Sequence, residues 1–434
     1  MIDKLKHRLH KNCYKARFEI LEQLLHNQTL TRTQLLDKQR RDLAGIVAHA
    51  VAHTDYYRTK YGDLVADNAN GPDVSRLPIL RKDEVINHKE ALLANTIDRN
   101  DLRTGYTGGS TGKPLAFYYD RHKMELMRAG MCRSYMWSGW RPGQKILNFW
   151  GAKQDLKGGG LRKRYGDFIA AEKTIGAYEY TEPQLNDWAK AITSYRPVLL
   201  QGYASVLAEL ASHVIEHKMP MPNTLQGVFS TAEVLYDRQR ELIETAFACK
   251  VFNQYGSREI PNMACECRHG NYHIFTDMVY IESINAHDED RLIVTSLTNR
   301  VMPFIRYAIG DSGKLKEGDC PCGSPFPMME MGLCRSNDII RTKTGKRIYP
   351  AYFIHLLDGL TGIRQYQFVQ SELEKITLNI KAPIPLEPAI LRSIERRIQK
   401  DIEQDMIVEI NRVDEIKRTA SGKHRFVISD IAAS

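Results

Sequence analysis

From Leu115 to Gln254 the chain alternates short apolar runs with helix-spaced segments, and that alternation restricts the fold more than any other feature of the sequence. Leu115 to Tyr119, Lys145 to Trp150, Pro197 to Gln201, Gly227 to Ser230 and Lys250 to Gln254 read as strands. Between them, Lys123 to Trp137, Ser205 to His217 and Asp237 to Phe247 carry helical spacing. Strands separated by helices demand crossover connections, so the expectation is a layered α/β body with a largely parallel sheet. Sites in such sheets gather where strands end, and two polar motifs fall there.

The first is Tyr106-Thr107-Gly108-Gly109-Ser110-Thr111-Gly112-Lys113-Pro114. Glycines, hydroxyls and a lysine this dense let backbone N–H groups wrap a phosphate beside a cation. It is not a Walker A loop, because Thr107 stands where that motif needs its first glycine and Pro114 where it needs Ser or Thr. The second is Asn253-Gln254-Tyr255-Gly256-Ser257-Arg258-Glu259. Further on stand Arg306-Tyr307-Ala308-Ile309-Gly310-Asp311, Arg335-Ser336-Asn337-Asp338 and Arg418-Thr419-Ala420-Ser421-Gly422-Lys423.

These five segments, in this order, resemble the signature of adenylate-forming enzymes, the acyl-CoA ligase superfamily. Their details are most similar to the phenylacetate-coenzyme A ligase branch and its capsular-polysaccharide-biosynthesis relatives, from about Arg41 onward. The resemblance implies a large domain over residues 1–336, with a basic helical segment over about 1–75. A small mobile α+β domain over 337–434 follows, hinged at Asn337 and Asp338. The family's hinge aspartate falls at Asn337, and Cys334 replaces its usual glycine.

The chemistry it implies is AMP-forming: a carboxylic acid and ATP yield an acyl adenylate and pyrophosphate, and the acyl group then passes to coenzyme A. Thr107, Ser110, Thr111, Gly112 and Lys113 would hold the β- and γ-phosphates. Glu259 matches the glutamate that binds Mg2+, a hard cation suited to carboxylate oxygen. Asn253, Tyr255, Gly256, Ser257, Ala232 and Glu233 would surround the adenine, with Asp311 and Arg335 at the ribose. Lys423 matches the lysine that bridges the α-phosphate and the substrate carboxylate. Trp150, Gly151, Gln201, Gly202 and Tyr203 are placed by analogy around the acid. Two alternatives stand beside this: transfer to a carrier protein or to an amine or hydroxyl, such as a saccharide precursor, and a catalytically inactive nucleotide-binding scaffold. A homodimer is compatible with the branch.

The cysteines are read from the residues themselves. Eight cysteines in a chain of 434 with no apolar signal core point to thiols or metal ligands in a cytoplasmic protein rather than to disulfides. Cys265-Glu266-Cys267-Arg268-His269-Gly270-Asn271-Tyr272-His273 and Cys320-Pro321-Cys322-Gly323 supply two knuckles for a structural zinc ion. The expected ligands are Cys267, His273, Cys320 and Cys322, with Cys265 and His269 in reserve. His49 and His53 are four apart on a helix, but no carboxylate or cysteine near them in sequence completes a site.

Charge is uneven. Residues 1–60 hold 12 Lys/Arg against 6 Asp/Glu, so +6 of the formal +9 lies there. No nucleic-acid-binding module is legible, and no run reaches the roughly 18 apolar residues of a membrane span. Residues 157–164 combine glycines with basic side chains and read as a basic loop.

Overall fold

A computed structural model describes the chain except residues 1, 67–72, 108–114, 151–159, 178–179, 287–288, 336–339, 349–351, 354–355, 358–359, 361, 420–423 and 432–434. The chain divides into two compact units, Met1–Ile309 with Gly313–Glu330, and Gly310–Ser312 with Met331–Ser434. No helix among the described residues is long and apolar enough to cross a membrane.

The first unit begins with α1 (Ile2–Cys13), α2 (Lys15–Asn27), α3 (Arg32–His53) and α4 (Asp55–Ala66). On α3, Leu35, Gln39, Leu43, Ile46, Val47 and Ala50 are buried, a single stripe at helical spacing. Thr31 starts that helix with a capping box, accepting from Gln34 N while Gln34 Oε1 accepts from Thr31 N at 2.9 Å. Beyond α5 (Lys82–Asn87) the hairpin of β1 (Arg103–Tyr106) and β2 (Ala116–Tyr119) leads to α6 (Arg121–Met136).

The sheet contains β3 (Ile146–Trp150), β4 (Glu172–Gly176), β5 (Leu199–Tyr203), β6 (Gly227–Thr231) and β7 (Lys250–Tyr255) in the parallel order β4-β3-β5-β6-β7. Its helices are α7 (Leu161–Ala170), α8 (Glu182–Tyr195), α9 (Ala204–Glu216) and α10 (Asp237–Phe247). Leu147, Leu200, Val228 and Val251 project on one face into a core with Trp188, Leu207, Leu210 and Phe247 of α8, α9 and α10. On the other face Tyr135 of α6 donates its hydroxyl to Gln201 Oε1 at 2.6 Å and meets Phe229 edge to face.

The parallel expectation describes only this half. After β7 the sheet turns antiparallel through β8 (Ala264–Glu266) and β9 (Tyr272–Ile274), which pairs with β13 (Met328–Arg335). Then β12 (Tyr307–Lys316), β11 (Glu289–Ser296) and β10 (Val279–Ala286) complete eleven strands. A second correction concerns the basic loop: Leu161 to Arg164 form the first turn of α7, because Gly160 caps a segment whose remaining residues favour helix. Residues 157–159 lie outside the described residues.

The segment before Arg81 is fastened to this sheet. Leu80 bridges Tyr307 in parallel register, and Arg306 grips Glu282 with two hydrogen bonds of 3.0 and 2.9 Å while donating to the carbonyls of Ser75 and Leu77. Arg306, the first residue of one motif, is thus a structural clamp.

In the second unit β14 (Ile340–Arg341) and β15 (Arg347–Ile348) pair, and a four-stranded sheet runs in the order β18-β17-β16-β19. Its strands are β16 (Gln365–Glu372), β17 (Lys375–Lys381), β18 (Ile407–Arg412) and β19 (Val427–Ser429), with α11 (Pro388–Asp401) crossing from β17 to its parallel neighbour β18. Phe353, Phe368, Leu378, Ile394 and Ile398 form its own core.

Candidate functional site

The parallel strands β6 and β7 end side by side, with Thr231 opposite Gln254. Directly after β6, Ala232 has φ of 70°, a left-handed conformation that costs a non-glycine residue free energy and collects at ligand-binding turns. Glu233 turns its carboxylate back onto the start of α9, where Oε2 accepts from Ser205 N at 2.8 Å. This leaves the backbone of the turn as the part placed at the strand end. Ser230 Oγ, two residues before Ala232, is buried and has no hydrogen-bond partner among the described residues, a group that a bound polar ligand would satisfy.

Tyr255 at the end of β7 and Glu259 just beyond it are both nearly buried, at 9% and 6% exposure. The turn between them is closed by Ser257 N to Ile260 O at 2.9 Å and Ile260 N to Ser257 Oγ at 3.0 Å. Gly256 has no room for a side chain, since a Cβ there would lie 2.9 Å from Asn262 N. Asn262 in turn accepts from Gln254 Nε2 at 2.8 Å and donates to Met127 O at 2.9 Å. Asn253 is held by its N–H, which donates to Glu266 Oε2 at 2.9 Å, and Glu266 is gripped by Arg240 at 2.7 and 2.8 Å. Burial lifts the Glu266 carboxyl above its ordinary range, with Arg240 opposing that shift.

At the glycine loop, Thr107 N donates to Leu115 O at 2.9 Å and Leu115 N donates to Thr107 Oγ1 at 3.0 Å. Thr107 therefore pins the neck of the loop with its hydroxyl oxygen. Ser110, Thr111, Gly112 and Lys113 lie outside the described residues, as do Gly151, Asn337, Asp338 and Lys423. Arg335 ends β13, and Asp311 sits half-buried on β12 among the residues grouped with the second unit. Of the residues placed around the acid, Trp150 and Tyr203 meet edge to face at 5.4 Å at the ends of β3 and β5.

The four expected metal ligands come together in the first unit. One ligand atom from each of Cys267, His273, Cys320 and Cys322 lies within 4.8 Å of the others. Cys267 Sγ is 3.6 Å from Cys320 Sγ, and Cys322 Sγ is 3.3 Å from His273 Nε2. His273 Nδ1 donates to Phe326 O at 2.9 Å, which fixes the tautomer and leaves the Nε2 lone pair toward the sulfurs. Burial holds this imidazole below its ordinary pKa, in the neutral form a metal requires. The sulfurs accept N–H groups as thiolates do: His269 N to Cys267, Ser324 N to Cys322 and Asn271 Nδ2 to Cys320, each at 3.4 Å. Three sulfurs and one imidazole in a buried, hydrogen-bonded cluster have the composition and closure of a tetrahedral zinc site. The reserves fall outside it. Cys265 turns toward its own strand's backbone, 3.6 Å from Glu266 O, and His269 contributes only its N–H while remaining exposed. His49 Nε2 meets Arg300 O at 2.9 Å and its ring lies 4.8 Å from that of His53, but among the described residues no third metal-ligating side chain joins the pair.

The chain is similar to known proteins over most of its length. Residues 340–430 match the family described as the CapK C-terminal domain. The chain is 26% identical over 386 residues to Protein CapK of Staphylococcus aureus, covering 86% of this chain and 84% of that one. It is 25% identical over 405 residues to the phenylacetate-coenzyme A ligase of Thermus thermophilus, covering 88% and 87%. These relatives support a likeness to the phenylacetate-coenzyme A ligase and CapK branch of adenylate-forming enzymes. A solved 2-hydroxyisobutyryl-CoA ligase, in its postadenylation state with an acyl-AMP, shares the fold at a TM-score of 0.72 and 17% identity, over 93% of this chain and 91% of that one.

Sequence reading missed three groups that the fold assembles. In the antiparallel half, β8 and β9 are three residues each, too short for periodicity to register, and the longer β10 to β13 were not read either. Arg133 and Asp277, paired at 2.6 Å with no side-chain exposure, are 144 residues apart. His213 and His217 share a helix spacing that was visible, but their partner Glu182 lies on another helix.

Proposed function

We propose that the protein is an AMP-forming carboxylate ligase, which activates a carboxylic acid with ATP and transfers the acyl group to coenzyme A. The observation that carries this reading is the adjacency of the Ala232–Glu233 turn and the Tyr255–Glu259 turn at the ends of β6 and β7. A branch of adenylate-forming relatives matched over most of their length supports it.

In this reading Tyr255 lies against the adenine, and the backbone at Ala232 and Glu233 faces its edge. Asn253, Gly256 and Ser257 shape the pocket floor, while Asp311 and Arg335 take the ribose. Ser110, Thr111, Gly112 and Lys113 grip the outer phosphates, and the Thr107 neck keeps that loop's ends together. Glu259 would hold Mg2+, which supplies charge neutralisation on the phosphates. Lys423, delivered by a small domain that turns about Asn337 and Asp338, orients the acid's carboxylate against the α-phosphate. Cys267, His273, Cys320 and Cys322 would hold Zn2+ in a structural role, tying the loop beyond Glu259 to the loop beyond β12.

A second reading keeps adenylation and changes the acceptor to a carrier protein, an amine or a hydroxyl, such as that of a saccharide precursor. Asn337 in place of the family's hinge aspartate favours it, because the hinge governs the second half-reaction. So does the match of residues 340–430 to the CapK C-terminal domain.

ATP–pyrophosphate exchange over a panel of carboxylic acids, with mass detection of acyl-CoA, separates these readings. Exchange with thioester supports the first, exchange without it the second, and no exchange with any acid leaves an inactive scaffold. Lys423→Ala is expected to lose exchange by orders of magnitude at unchanged melting temperature, and Glu259→Gln by about 10²–10³-fold, as for loss of one preorganised transition-state contact.

A further inference from the structure

Away from both sites, α8 and α9 present two pairs of polar side chains to each other at four-residue spacing, one helical turn apart. Glu182 and Asn186 lie on α8, His213 lies on α9, and His217 is the residue that caps its C-terminus. One ligand atom from each of Glu182, His213 and His217 lies within 4.8 Å of the other two. His213 is buried at 3% exposure, and its Nε2 is 3.0 Å from Asn186 Oδ1. The two imidazoles face each other at 4.1 Å and 31°. His217 Nδ1 donates to His213 O at 2.9 Å, so in the neutral ring Nε2 keeps its lone pair. A backbone carbonyl that fixes the tautomer of a ligating histidine also occurs at His273 in the thiol cluster.

We propose that Glu182, His213 and His217 form a second divalent-cation site, of two imidazoles and one carboxylate, suited to Zn2+. Such a donor set leaves a coordination position for water. Because Glu182 and His217 are exposed, the ion exchanges with solvent, unlike one enclosed by the buried thiols. Bound there, it clamps α8 to α9. His213 stands nine residues beyond Ala204, roughly 14 Å along the helix from the end of β5, so the ion acts on stability and not on adenylation.

The test titrates protein freed of excess metal with Zn2+ and, separately, with Co2+. Cobalt bound by the thiol cluster shows sulfur-to-metal charge-transfer absorption, and cobalt bound by Glu182, His213 and His217 does not, so the two ions are told apart even if the thiol cluster stays empty. The expected result is one equivalent of sulfur-free cobalt and a zinc-dependent rise in melting temperature. His217→Ala and Glu182→Gln, both at exposed positions, should each weaken it at least ~10-fold, the low end for loss of even an outer-shell partner. Uptake confined to sulfur-ligated metal, or sulfur-free metal that both variants bind undiminished, overturns the site.

Discussion

The two halves of the large sheet are held by different means. In the parallel half, β3, β5, β6 and β7 are largely buried, with edge strand β4 partly exposed, and they pack on α8, α9 and α10 on one side and on α6 on the other. In the antiparallel half, short strands β8 and β9 are joined by loops that depend on polar anchors: the Cys267, His273, Cys320 and Cys322 cluster and the buried Arg133–Asp277 pair. Apolar layers tolerate polar strand ends, where a substrate can be met. Short strands under long loops cannot bury enough apolar surface, so specific ligands and ion pairs take over.

The strongest way to break this contrast is to strip the zinc ion proposed for the Cys267, His273, Cys320 and Cys322 cluster. Structural zinc contributes roughly 10–16 kcal/mol in small peptides, so its removal should cost more stability than any single substitution. Hydrogen exchange should rise first at β8, β9 and residues 320–328, while β3, β5 and β6 keep their protection. Zinc below about a tenth of an equivalent in protein purified without chelator, or a loss of protection spread evenly over both halves, would contradict it.

Asp277→Ala comes next. It strands a fully buried Arg133, whose guanidinium lies 4.0 Å over Phe275 and whose other partners are few, and should cost about 3–5 kcal/mol by urea denaturation. Because Asn27 also donates to Asp277 at 2.8 Å, α2 should loosen with it. A paired Arg133→Met, Asp277→Leu variant should recover most of that loss, which separates the stranded charge from the lost bond.

At the junction of the halves, Gly256→Ala pushes a methyl to within 2.9 Å of Asn262 N and should cost about 1–3 kcal/mol of overpacking. Exchange activity should fall more than stability does, because Tyr255 and Glu259 flank the displaced backbone. Full activity at reduced stability would make Gly256 a packing residue only.

Comparable in size for each histidine is the effect of acidification. Burial, helped by Arg17, holds His10 down to about 4, and burial, helped by Arg418, holds His424 down to about 4. Each ring is neutral when folded and takes up a proton near its ordinary 6.5 when unfolded, so the unfolded state binds more protons between those values and stability falls as pH drops through that window. From pH 7 to pH 5 each should cost roughly 2 kcal/mol. His424 follows residue 423 directly and its Nε2 donates to Tyr366 O at 3.0 Å, so His424→Ala should flatten the dependence in the second unit, and His10→Ala in the first.

Much of this was open to sequence reading because local patterns suffice for it. Asp237 to Phe247 is a helix with the bounds its spacing predicts, and the two cysteine knuckles name their own ligands once chain flexibility at Gly270 and Gly323 is granted. The helix at Leu161 to Ala170 was hidden by the glycines before it, and the role of Thr107 by the motif that contains it. Arg306 looks like part of a nucleotide signature and turns out to bind Glu282 and two carbonyls of a segment more than 200 residues earlier.

What the sequence alone determined is the inventory: an alternating α/β body, an ordered set of adenylate-forming motifs, and a four-ligand donor set, since periodicity and motif spacing act over short stretches of chain. What only the tertiary structure decided is who meets whom. Whether Glu182 faces His213, whether Asp277 shields Arg133, and whether Ala232 is forced to positive φ depend on how helices and strands far apart in the chain are pressed together, and no local pattern encodes that register.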